Sequence, residues 1–177
     1  MGMSNFQELT DRSIAMINDG RWDEAFDDLK RREANGEKDA VAVLAQFYLY
    51  GVGIARDVEY AVELLNKAIS MGSADAAWEL GLLYYKNDVG LPVNKYKAVE
   101  MFEKGAQGGN ENCYGALSEC YLHGDGTATN AAKAFQYALQ AAKPEIQKGI
   151  INALIFNNNV IEPIHPQKHH LNGKMKS

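Results

Sequence analysis

The sequence predicts an all-α fold, an α/α superhelical solenoid of stacked helix-turn-helix units. Three observations carry that expectation. A block of residues returns three times in register, at steps of 36 and 37 positions. Each copy reads as two amphipathic helices joined by a glycine-bearing turn, and small residues recur where the two helices would have to touch. A hairpin of that size cannot bury its apolar face alone, so successive copies must stack.

The chain opens with a divergent unit, 4–36. Stepping one period back from the better copies sets Ala25 before Ala61, Leu29 before Leu65 and Gly36 before Gly72, so RWDEAFDDLKRREANG is the second half of an earlier unit. Its first helix would be FQELTDRSIAMIND, which fits the apolar pattern only through Ile14, Met16 and Ile17.

Units 38–73, 74–110 and 111–143 follow. Ala40, Ala76 and Cys113 align, as do Leu44, Leu80 and Leu117, and Tyr48, Tyr84 and Tyr121; each set steps by 36 and then 37. In the second halves the order inverts. Asp57, Asn94 and Asn130 step by 37 and then 36, and so do Ala61, Ala98 and Ala134. The inversion locates one extra residue in the middle loop, at about Asp88 to Gly90, where a turn can absorb it.

Within each unit the first helix carries apolar residues three and four apart, such as Ala40, Leu44, Phe47 and Tyr48, which form one buried stripe. Gly51 with Gly53, and Gly124 with Gly126, suit a chain that must leave a helix through left-handed backbone. Asp57, Asn94 and Asn130 then stand where an N-cap belongs, with side-chain oxygens for the free amides of the second helix. Ala45, Gly81 and Ser118 follow the aligned leucines and oppose Ala61, Ala98 and Ala134, which allows close approach.

After the last unit, Pro144 suits a first helical turn, and Ile146, Ile150 and Leu154 repeat at four-residue spacing. This predicts a helix over 144–157 that caps the stack; its alternative place is the groove itself. Together, 1–159 read as one domain and 160–177 as a flexible tail.

The chemistry is spare. With 18 basic and 23 acidic residues the net charge is -5, which disfavours nucleic acid and anionic membrane surfaces as partners. The N-terminus lacks the basic start and apolar run of a secretory signal, and no stretch is long enough to span a bilayer. The expectation is a soluble, cytoplasmic protein. Cys113 and Cys120 lie seven positions apart in one helix, roughly 10 Å along its axis, too far for a disulfide. They read as reduced core residues.

No nucleophile elbow, P-loop or dinucleotide fingerprint occurs, and no cofactor is expected. His165, His169 and His170 lie in a polar tail without the carboxylates or cysteines of a zinc site, so no metal is expected. His123 and Glu119 are one helical turn apart and could pair as acid and base, although a binding contact is the commoner use of such a pair.

LGLLY at 80–84, its glycine loop, Asn94, the KA at 97–98 and a closing glycine resemble the Sel-1-like repeat, a relative of the tetratricopeptide repeat. GVGIARD at 51–57 looks like the loop signature, and GDGTATN at 124–130 is a weaker copy. Ala45 and Ser118 replace the family's usual glycine. The resemblance implies a non-enzymatic adaptor or scaffold that binds a protein or peptide, often in bacterial signalling, secretion or host interaction.

Carried across, the tetratricopeptide pattern makes the first helices the concave wall. It implies partner contacts at Gln46, Leu49 and Tyr50; at Trp78, Leu82, Tyr85 and Lys86; and at Asn112, Glu119, Leu122 and His123. The other use for these side chains is packing against the next unit or beneath the C-terminal segment. Among alternative functions, an immunity-type protein would neutralise a cognate toxin, a structural subunit would self-associate, and a hydrolase of the beta-lactam-binding kind finds no residues here to carry it.

Overall fold

The computed structural model describes residues 5–148 and 150. Eight helices follow one another: α1 (Asn5–Asn18), α2 (Trp22–Ala34), α3 (Lys38–Tyr50), α4 (Val58–Ser70), α5 (Ala74–Tyr85), α6 (Lys95–Gln107), α7 (Glu111–His123) and α8 (Ala131–Ala141). The described residues contain helices and turns and no strand. The main contacts pair α3 with α4, α5 with α6 and α7 with α8, and each pair packs on the next through α2 with α3, α4 with α5 and α6 with α7. First helices also meet directly, α1 on α3 and α3 on α5.

The expected turns and caps are built as the repeat implies. Asp57, Asn94 and Asn130 each accept a hydrogen bond from the backbone amide three residues on, at 2.9, 3.0 and 3.0 Å. The same three residues donate their own amides to the carbonyls of Tyr48, Tyr84 and Tyr121, at 2.9, 2.8 and 2.7 Å. The aligned tyrosine and the aligned cap thus close each loop on itself. Gly51 and Gly124 leave their helices in left-handed backbone, at φ 68° and 77°. Two further caps carry no mark in the repeat alignment: Ser73 opens α5 and Asn110 opens α7.

The small-residue positions trade volume with what faces them. A Cβ on Gly81 would stand 2.5 Å from the ring of Phe102, so the glycine exists to admit that ring. Where the unit has Leu65 or Ala138 in place of Phe102, it carries Ala45 or Ser118 in place of Gly81. Ser118 uses the gap to donate a hydrogen bond of 2.9 Å to the carbonyl of Ala134 on α8.

Successive units interlock through their loops. Gly53 sits against the Trp22 ring and Gly126 against the Lys95 backbone, and Trp22 and Lys95 hold the same position, the first residue of a second helix. The longer middle loop is held differently. Arg56 donates to the carbonyls of Leu49 and Val89, tying two loops together.

One expectation, the apolar stripe of α1, needs adjustment. In α1 the buried residues are Phe6, Leu9 and Ser13, with Met16 and Ile17 partly covered, whereas Ile14 is 48% exposed. The spacing of three and four is kept, but it is anchored earlier in the helix than Ile14. The chain also divides into two units, 1–141 and 142–177, a boundary inside the span expected to form one domain. Within the second unit, 144–148 are helical and Gln147 donates to the carbonyl of Ala142. The rest of the cap expected over 144–157, and the tail 160–177, lie outside the described residues.

Candidate partner-binding wall

The sequence-derived contact residues lie on α3, on α5 with the residue after it, and on α7, and packing sorts them into two groups. Leu49 is 1% exposed, so it is core and offers a partner nothing; α3 is flanked by helices of the units on both sides. Trp78 and Leu82 pack against the cluster built by α6, α7 and α8, with the Trp78 ring 5.4 Å from Phe102.

Tyr85 is also engaged. Its hydroxyl donates to Asp125 at 2.7 Å, Lys95 pairs with the other oxygen of the same carboxylate at 2.7 Å, and the ammonium lies 5.2 Å from the Tyr85 ring centre. The hydrogen bond to Asp125, then burial, push the phenol pKa up to about 12, and the Lys95 contact holds the Asp125 carboxyl below its ordinary range. The α5 to α7 stretch is therefore closed by its own contacts. Lys86, Asn112, Glu119, Leu122 and His123 remain exposed along it.

The N-terminal half is open. Between α1 and α3 lies a cleft of about 220 Å³ lined by Thr10, Ile14, Ile17, Val43, Gln46, Phe47, Tyr50 and Val52. Its walls are mostly aliphatic and aromatic. Tyr50 is 59% exposed at its mouth, an amphipathic ring that can cover apolar surface and still donate a hydrogen bond. The sequence pattern found Gln46 and Tyr50 but missed the α1 side, because α1 departs from the repeat that supplied the pattern.

A carboxylate stands beside this cleft. Glu79, on α5, accepts a hydrogen bond from Gln46; burial pushes its pKa above the ordinary value, Gln46 works against that rise, and Asp75 adds to it. Tyr50 is in turn raised by partial burial and then by the charges of Glu79 and Asp88. Glu79 takes the position held by Val43 and Ala116 in the other units, so an acid replaces an apolar residue at a helix contact. No alignment landmark marks it.

Burial pushes the thiols of Cys113 and Cys120 up to about 12 and about 11, which keeps both protonated at neutral pH. Among the described residues no His, Cys, Asp and Glu gather into a metal-binding group, and no helix is long and apolar enough to cross a membrane.

Comparison with known proteins adds the following. The Sel1 repeat is matched three times, at 38–73, 74–110 and 113–143. Over 84 residues the chain is 33% identical to the chitin synthase regulator SKT5 of Malassezia restricta, a match that spans 48% of the chain and 6% of the regulator. A Sel1 repeat protein from Oxalobacter formigenes superposes with a TM-score of 0.63 at 22% identity, over 86% of the chain and 62% of that protein. A second solved structure is c5321, a protective antigen of uropathogenic Escherichia coli with an SLR fold. It gives a TM-score of 0.60 at 28% identity, over 66% of the chain and 25% of that protein. The chain thus spans less than two thirds of each of these relatives.

Proposed function

The chain belongs to the Sel1 repeat family, and from that premise we propose that it is a non-enzymatic binding module whose first-helix wall holds a protein or peptide partner at the α1–α3 cleft. Sel1 repeat proteins act as protein-interaction scaffolds and adaptors. The observation that carries the reading is the open apolar cleft with half-exposed Ile14 and Tyr50 at its rim, on the wall that the repeat leaves facing outward. Exposed apolar groups rimmed by polar ones suit a partner's anchor side chain, and aromatic residues of this kind dominate interface energetics.

The chemistry of the wall supports binding over turnover. The cleft is lined by aromatic, aliphatic, amide and hydroxyl groups with the Glu79 carboxylate beside it, and the two thiols are buried and protonated. The Malassezia restricta relative is named a regulator of chitin synthase, in keeping with a module that acts on another protein.

The test is site-specific photo-crosslinking in the native cell. A photoreactive phenylalanine replaces Tyr50 in one variant and Tyr96, which is 77% exposed on second helix α6, in another. We expect a discrete adduct from position 50 and none from 96. Adducts from 96 alone, equally from both, or from neither would contradict the placement.

A further inference from the structure

The charge on the wall says what kind of partner segment the cleft takes. The four first helices, α1, α3, α5 and α7, carry seven carboxylates and two basic residues. The four second helices carry nine and eight. The net negative charge is thus concentrated on the first helices. On the second helices the charges are extensively paired, as in Asp28 with Arg32, Glu33 with Lys30 and Lys67, and Glu100 with Lys104. None of the seven first-helix carboxylates forms an ion pair among the described residues.

Glu79 is the one of these carboxylates joined to the cleft. Gln46 lines the cleft and also donates to Glu79, and Tyr50 lines the cleft and feels the charge of both Glu79 and Asp88. Removing a carboxylate from water without giving it a cation is costly, and a hydrogen bond from a neutral amide offsets only part of that cost. An incoming cation would offset more.

We propose that the partner segment is basic and apolar: a protein segment whose aliphatic or aromatic side chain enters the α1–α3 cleft while a neighbouring lysine or arginine pairs with Glu79. The apolar side chain supplies affinity through burial, and the cation supplies selection, because an acidic segment would meet uncompensated like charge. The assignment rests on the binding-module reading above and narrows it to one chemical class.

The experiment is selection of a random peptide display library on the full chain, followed by titration of the enriched peptides against wild type, Glu79→Gln, Tyr50→Ala and, as a control on the second helix α4, Glu63→Gln. Helicity of each variant is checked by circular dichroism. The expected peptides carry lysine or arginine beside a large apolar residue. Glu79→Gln and Tyr50→Ala each weaken them about tenfold or more, whereas Glu63→Gln does not. Enriched peptides that are neutral or acidic, or basic peptides indifferent to Glu79→Gln, overturn the charge assignment. If those peptides still lose affinity with Tyr50→Ala, the cleft as a binding site survives. Enrichment of no peptide sensitive to Tyr50→Ala overturns both readings.

Discussion

The role proposed for Glu79 in binding would come at the expense of folding. Its carboxyl sits above its ordinary value of 4.5 in the folded chain, chiefly through burial. Folding therefore favours the protonated form. That contribution is fully present below the unfolded value and is lost as pH rises through the folded one, so at neutral pH the charge is a cost. Glu79→Gln should raise the urea midpoint at pH 7, and the difference from wild type should disappear as pH falls below about 4.5. A lower midpoint at pH 7 would mean that the charge is compensated after all. Residue-level meaning was only partly legible in the sequence. Gln46 and Tyr50 follow from the repeat register, but Leu49 at the equivalent of Tyr85 turned out to be core, and Glu79 stands at a position that the register assigns to packing. Register fixes where a residue sits along a helix; the size of the neighbouring unit's side chains decides whether it is covered.

Whole helices were more legible than single contacts, because periodicity, caps and turn glycines are local signals that reinforce one another. Their pairing rests on matched volumes, and this is testable. Gly81→Ala should destabilise the chain by about 1–3 kcal/mol in chemical unfolding, since the new methyl meets the Phe102 ring. Adding Phe102→Leu, which reproduces the Ala45 and Leu65 combination of the preceding unit, should cost less than the two single changes summed. Additive losses would show that the two sites do not share the gap. The contact of Tyr85 with the following loop has its own signature. Because the phenol is raised to about 12 by the bond to Asp125, its stabilisation is complete below the ordinary value of 10.0 and lost as pH rises through about 12. Tyr85→Phe should flatten the alkaline fall in stability over that window; an unchanged slope would assign the fall to other groups. Sequence gave no hint of this bond, since Asp125 aligns with Val52 and Val89.

At the scale of the molecule, the stacked units distribute their properties unevenly. At the α5 to α7 end Trp78 and Leu82 pack on the cluster of α6, α7 and α8 and Tyr85 bonds to the following loop, and the α1 to α3 end keeps an apolar cleft with an acid beside it. The repeat period announced the solenoid and the wall. It could not announce which end stays open, because that depends on α1, the least regular helix, and on the Tyr85 contact with the loop of the following unit. The account therefore stands on the location of binding. Hydrogen–deuterium exchange of the full chain, with and without a display-selected peptide, tests it most directly. Slowed exchange confined to α1, the C-terminal half of α3 and the part of α5 around Glu79 is the predicted result; slowed exchange centred on α4, α6 or α8 would contradict it.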